Sequence, residues 1–402
     1  MNGAQMVVFK PLNGYIPQLG DGEDILQRIS PPYDVIDDRE LESLKFNRFN
    51  VTRITLNPRN GRYYLAASEL EEWISSGKLG RDEKPSFYLY RQSFLSDGKR
   101  LVRTGLVGIL GLEPYVNGNV IPHEETTPMV KDDRYRLLED TGTHSESIFG
   151  LYHHSDIPPE ELLASSEPVF EVEDDDSVIH SFHRISDPAM VTRIERVMLW
   201  KSILIADGHH RYETALKYFQ DHPGEKEGYV LATLVSSDDE GMVLLPTHRV
   251  LSELRLTDEE LLKRMDGLLS VNGMDDFELL MKRVTRKESM GFGLLSATGR
   301  MWYACLDETP DDGMLWVIDA YACQEIMFKK ALGDRRFRIG YEESCRDAGE
   351  KVDDGRADLA ILLGSPTLED IWKVAGEGIK MPKKSTFFYP KIWSGFIYYR
   401  MV

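Results

Sequence analysis

The sequence predicts a multi-domain α+β protein in which a central α/β unit is flanked by N- and C-terminal α/β sections. Three observations support this. At 402 residues the chain exceeds what one hydrophobic core holds, roughly 250 to 300 residues. Apolar runs of strand length alternate with stretches of helical spacing along the chain. Its 42% hydrophobic and 29% charged residues are globular proportions, and no window approaches the roughly 18 apolar residues of a membrane span.

The first section, 1–112, opens with an extended "MVVFKPL" and a proline-fixed bend, "PPYDVI". "YYLAASELEEWISSGKL" has helical spacing with Gly77 near its end. "SFYLYRQSF" and "KRLVRTGLVGILGLE" flank an Asp-Gly pair, a hairpin signal. The central section, 113–250, starts with a short strand, a polar turn and a helix running through Arg134 to Glu139. Its acidic run "EVEDDDS" is expected to be a solvated loop. "DPAMVTRIERVMLW" predicts a helix, "KSILIAD" a strand, "HHRYETALKYFQD" a helix, and "GYVLATLVSS" and "GMVLLPTHRVL" two further strands. In the last section, 251–402, Thr257 and Glu260 form a capping-box pattern at a helix start. "FGLLSATGRMWYACL" then predicts a hairpin, "WVIDAYACQEIMFKKALG" a helix ended by Gly333, and "ADLAILLGSPTLEDIWKVAGEG" a strand, a turn and a helix.

Charge and cysteine content narrow the function classes. A net charge of −19 opposes nonspecific binding to nucleic acid, which depends on cations neutralising phosphates. Cys305, Cys323 and Cys345 form no CxxC pair and are expected to be reduced structural thiols. With no secretory signal and no span legible, a cytoplasmic protein without a membrane partner is expected. Oligomeric state is not encoded in any of these features.

The richest chemistry lies at "SILIADGHHRYETAL", residues 202–216. A buried strand running into a helix would place Asp207, Gly208, His209, His210 and Arg211 where free backbone N–H groups and the positive helix end face a loop. That is an anion site. Gly208 allows close approach, Arg211 can fork onto phosphate oxygens, the imidazoles can donate, and Asp207 can hold Mg²⁺ or cap the helix. No GxxxxGK[ST] or GxGxxG motif occurs, so the P-loop and Rossmann routes to a nucleotide are excluded. "PHEETTPMVKDDRYR" adds Glu124 and Glu125 as candidate bases, Thr126 and Thr127 as hydroxyl donors, and Lys131, Arg134 and Arg136 as cations for a carboxylate or phosphate. Asp34 in "PPYDVI" and His248 in "PTHRV" are further candidate substrate ligands, as is His123. "MPKKSTFFYPKIWSGF" also mixes polar groups into a Pro- and Gly-defined backbone.

Taken together, "PPYDVI", "VIPHEETTPMVKDDR", "ADGHHRYETAL", "PTHRV" and "MPKKSTFFYPK" resemble, in order and spacing, a bacterial and archaeal family catalogued as domain of unknown function 1015. The DGHHR turn is similar to the phosphate-binding turn of the ParB and sulfiredoxin superfamily, which includes kinases of free L-serine. The resemblance implies a ParB/sulfiredoxin-like core at 113–250, ATP or ADP as donor, Mg²⁺ as cofactor and O-phospho-L-serine as product. It also implies that Glu124, in the "HE" segment, is the base, with Glu125 as rival. Two alternatives stand beside this reading: a nucleotide-binding regulator that transfers no phosphate, and a metal-dependent hydrolase using His123, His153, His154, His209 and His210.

Overall fold

Asp97 and Gly98 both have positive φ, 48° and 74°, as a two-residue hairpin turn requires. They join strands Phe87–Ser96 and Lys99–Gly111 with Ser96 opposite Lys99. This hairpin is the middle of a nine-stranded sheet in the computed structural model, which describes residues 6–56, 62–286, 289–308, 310 and 313–402. The protein is mixed α/β with several sheets, and its contacts divide it into two compact units. The first comprises Met1–Pro122, Thr126–Met242 and Pro390–Val402, and the second His123–Glu125 and Val243–Tyr389.

In the first unit the sheet runs Val120–Pro122, Ile203–Asp207, Ile148–Tyr152, Tyr229–Ser236, Lys99–Gly111, Phe87–Ser96, Ile179–Ile185 and Glu167–Glu173, with Phe9–Lys10 also pairing with Lys99–Gly111. Ile203, Leu204, Ile205 and Ala206 are buried on both faces, which explains why they read as a continuous apolar run rather than an alternating one. The boundary expected near residue 112 falls within this sheet, because Lys99–Gly111 pairs with Tyr229–Ser236 from Gly105 to Gly111. The C-terminal segment also returns here, with Tyr399–Arg400 pairing with Thr143–His144.

The acidic run differs from its expectation. Glu171 to Glu173 end a strand, and Asp174 is buried, its carboxylate accepting from the backbone N–H of Asp176 and Val178 and contacting His180 Nε2 at 2.9 Å. It closes a turn, and only its neighbours are solvated.

The second unit holds a six-stranded sheet in the order Ser270–Met274, Met301–Cys305, Gly291–Ser296, Leu359–Leu362, His248–Ser252 and Arg338–Glu342. Strands Val243–Leu245 and His248–Ser252, expected in the central section, therefore belong to this unit. The helix Asp258–Met265 carries the complete Thr257 and Glu260 capping box. The expected helix before Gly333 forms as Asp319–Cys323 followed by a π-helical stretch, Gln324–Ala331. Among the described residues no helix is long and apolar enough to cross a membrane.

Candidate functional site

Strand Ile203–Asp207 carries a register irregularity between Ile205 and Asp207, the kind of bulge that re-aims a side chain at the end of a strand. Gly208 follows with φ 89°. A Cβ there would meet a left-handed backbone and the Arg211 guanidinium at 3.1 Å, so glycine is required twice over. Helix His209–Asp221 then begins with no side-chain cap, leaving its positive end directed at the turn.

Arg211 turns back across this corner. Its Nη2 donates to Asp207 Oδ2 at 2.7 Å and its Nη1 to the Ser147 carbonyl. Burial opposes its charge, but Asp207, then Glu146, Tyr33 and Asp34, hold it above the usual arginine range. Lys391 Nζ stands 3.8 Å from Asp207 Oδ1. Glu146 is buried and lies 3.7 Å from Arg134. Burial pushes its carboxyl upward, against the pull of Arg211 and Arg134. A small polar cavity of about 40 Å³ lies among Arg134, His144, Ser145, Glu146, Arg211 and Thr214.

Within the first unit, Thr126, Thr127 and Lys131 meet the DGHHR helix. Thr126 Oγ1 donates to Glu213 Oε2 at 2.7 Å, and Lys131 Nζ reaches the same oxygen at 2.9 Å. The Thr127 N–H donates to His210 Nε2 at 2.9 Å, so that nitrogen is the acceptor and the neutral ring carries its proton on Nδ1. Thr127 also stands at the N-cap of helix Pro128–Thr141. A groove of about 500 Å³ opens along Pro128, Lys131, Tyr135, Glu213 and Lys217. Two motifs more than eighty residues apart are thus joined by hydrogen bonds.

Over residues 9–323 the sequence matches the family described as "Protein of unknown function (DUF1015)". The chain belongs to the DUF1015 family. None of the curated proteins matches it. Among solved structures, this DUF1015 protein is similar to a conserved hypothetical protein from Pyrococcus furiosus at 15% identity and TM-score 0.38, covering 68% of this chain and 89% of that one. A free serine kinase in complex with AMP gives 13% identity and TM-score 0.39, covering 67% and 84%. C-terminally truncated SbnI from Staphylococcus aureus gives 8% identity and TM-score 0.39, covering 72% and 85%.

The remaining expected site residues of the DUF1015 protein fall in contrasting surroundings. Asp34 is exposed and interacts electrostatically with Arg211 and Glu146. Arg134 is buried, donating to Asp133 and to the Thr55 carbonyl and lying 4.5 Å over the Tyr33 ring. His209 is buried. In the second unit, Glu124 accepts from the Lys384 N–H and Glu125 is exposed. His123 is buried, with Nε2 2.9 Å from Thr386 Oγ1. His248 is also buried, its Nδ1 accepting from the Leu363 N–H, and burial, then Arg249, lowers its pKa to about 4.

For a metal, the donor set does not fit as it stands. Asp207 has one oxygen paired with Arg211 and the other facing Lys391, and among the described residues no group of three His, Cys, Asp or Glu could hold an ion. His154 instead pairs with Asp238 at 2.7 Å. Sequence reasoning missed Glu146, Ser147 and Glu213. The signal was "THSES", a polar run whose five residues are all buried, but polarity alone gives no hint of burial.

Proposed function

We propose that this DUF1015 protein transfers a phosphoryl group from ATP or ADP to the hydroxyl of a small molecule, with free L-serine as acceptor and O-phospho-L-serine as product. The observation that carries the reading is the corner at residues 207–211. A left-handed glycine, a helix start without a side-chain cap and a guanidinium resting on a carboxylate occur together there, and a polyphosphate can replace that carboxylate as the partner of Arg211. The motif resemblance to the ParB and sulfiredoxin superfamily, with its serine kinases, supports the same reading.

The serine hydroxyl is a weak nucleophile at neutral pH, so a positioned base is required. In the proposed reaction Glu124 accepts the hydroxyl proton and the oxygen bonds to the terminal phosphorus. The bond from that phosphorus to the bridging oxygen breaks, and its electron pair leaves with ADP or AMP. Gly208, His209 and His210 line the phosphate corner, and Arg211 shifts from Asp207 to the phosphate oxygens as charge spreads over them. Lys131 is assigned to the serine carboxylate and Asp34 to its ammonium. Mg²⁺ enters as the counter-ion of the nucleotide.

The test is incubation with ATP or ADP, Mg²⁺ and a panel of free amino acids, with product read by mass spectrometry. Phosphoserine is expected. Glu124→Gln should lower transfer by about 10²- to 10⁴-fold while nucleotide binding, followed by calorimetry, is retained. Full turnover in that variant would move the base to Glu125. Nucleotide uptake with no phosphorylated acceptor would favour a regulatory protein, and no uptake at all would sink the proposal.

A further inference from the structure

Three motifs meet in the second unit around Glu124. The Lys384 N–H donates to Glu124 Oε1, and Glu124 forms a parallel bridge with Met381. The neighbouring residues hold this pairing in place. The Met381 N–H donates to the His123 carbonyl at 2.8 Å, and His123 Nε2 lies 2.9 Å from Thr386 Oγ1. The carbonyl of Lys384 accepts from Arg249 Nη2 at 3.0 Å. Arg249 is itself fixed, with Nη1 donating to the Thr247 carbonyl and its guanidinium 5.5 Å over the Tyr341 ring. Lys384 has φ 56°, a left-handed conformation that a side-chain-bearing residue adopts reluctantly. The turn is held in it by bonds to both sides of the residue.

The electrostatics narrow to the same carboxylate. Among the groups that interact electrostatically with Arg249 are Cys323, Tyr341, Glu124 and Asp319. The Cys323 thiol is buried and pushed up to about 12, so it is neutral. Tyr341 presents its ring, and Asp319 Oδ2 accepts from the Gly364 N–H at 2.7 Å. Glu124 and Asp319 are the carboxylates among these groups. A carboxylate that accepts a backbone N–H and interacts electrostatically with a guanidinium is favoured in its charged form, which is the form a proton acceptor needs.

We propose that Arg249 and the turn at residues 381–386 form a cradle that orients the Glu124 carboxylate and keeps it ionised, making Arg249 a positioning residue for the proton acceptor. The inference rests on the reading of Glu124 as base. Its test is the pH profile of kcat in Arg249→Gln, which keeps an N–H donor but loses the charge, against Arg249→Lys, which keeps the charge. Without the neighbouring cation the carboxylate titrates higher, so the acidic limb should move up by about one pH unit in Arg249→Gln and return in Arg249→Lys, with KM for nucleotide unchanged in both. A limb that stays in place, with any loss of kcat matching the folded fraction in a thermal melt, would overturn the cradle. If Arg249→Gln does not fold, Glu124→Asp gives the second arm. Drawing the carboxylate back by one methylene from the Lys384 N–H should cut kcat at least tenfold at constant nucleotide KM, and unchanged kcat would overturn the proposal. Failure of the base reading is separately visible: Glu124→Gln then keeps turnover whatever Arg249 does.

Discussion

Arg211 in the first unit and Arg249 in the second are both largely withdrawn from water, yet only Arg211 is held by a carboxylate. Arg211 rests on the Asp207 carboxylate and donates to one backbone carbonyl, that of Ser147, with Glu146 and Asp34 acting at longer range. Arg249 donates to two backbone carbonyls, and burial lowers its pKa despite the anions it interacts with. A guanidinium on a carboxylate can exchange one anion for another at little cost, whereas one bound to carbonyls leaves them unsatisfied if it departs. The first arrangement suits a ligand-binding arginine and the second a fixed one.

The sharpest way to break that comparison is to truncate both side chains. Arg249→Ala takes the donor from the buried Thr247 carbonyl and the part-buried Lys384 carbonyl and should cost about 3 kcal/mol of stability, since a buried unsatisfied group costs about 1–3 kcal/mol. Arg211→Ala takes the donor from one carbonyl only, so it should cost less stability, and it should lower nucleotide affinity at least tenfold. Denaturant titration and calorimetry on the two variants read both quantities, and the opposite pattern would reverse the assignment of roles.

A buried histidine in each unit extends the contrast to pH. Burial lowers the pKa of His144 in the first unit to about 4, and burial with Arg249 does the same for His248 in the second. The unfolded chain binds a proton near pH 6.5 and the folded chain only near 4, so the unfolded state binds more protons between these values. Stability is therefore fully present above about pH 6.5 and falls as pH drops towards 4, by up to about 3 kcal/mol per histidine. Hydrogen exchange across this window should show both units loosening. His144→Phe, which preserves the stack on Tyr399, should flatten the response of the first unit alone.

What the sequence revealed and what it concealed follow the same divide between local and distant interactions. The strand-to-helix corner at residues 203–221 was legible because an apolar run, a glycine and helical spacing act within a few residues. The Asp97 and Gly98 turn and the Thr257 capping box were legible for that reason too. The division into units was not, because it depends on Lys99–Gly111 finding Tyr229–Ser236 and on residues 390–402 returning to the first unit. Composition also concealed burial: Arg134, His123 and His248 looked like ligands and are enclosed, while Glu146 went unnoticed beside Arg211.

Gly208 offers a sharper local test. With φ 89° and the Arg211 guanidinium 3.1 Å from where a Cβ would stand, Gly208→Ala should cost about 2 kcal/mol, the upper part of the left-handed penalty. It should also displace Arg211, so nucleotide affinity should fall with it. Gly98, also at positive φ but with nothing within 4 Å of such a Cβ, should show only the stability loss on Gly98→Ala. Thermal melts and calorimetry of both variants separate backbone strain from damage to the corner.

The smallest effect comes from comparing two helix starts. Helix Asp258–Met265 in the second unit closes its end with its own side chains, the Glu260 N–H donating to Thr257 Oγ1 at 3.2 Å and the Thr257 N–H to Glu260 Oε2 at 3.0 Å. Helix His209–Asp221 in the first unit has no such cap. If the difference reflects use, the capped end is indifferent to anions and the uncapped end responds to them. Thr257→Ala should cost about 1 kcal/mol and leave nucleotide affinity unchanged. Inorganic phosphate should slow amide exchange in the first turn of His209–Asp221 and leave Asp258–Met265 as it was. Equal protection of both helices would mean that the corner at residues 207–211 is an ordinary helix start, and would remove the physical basis for placing a nucleotide there.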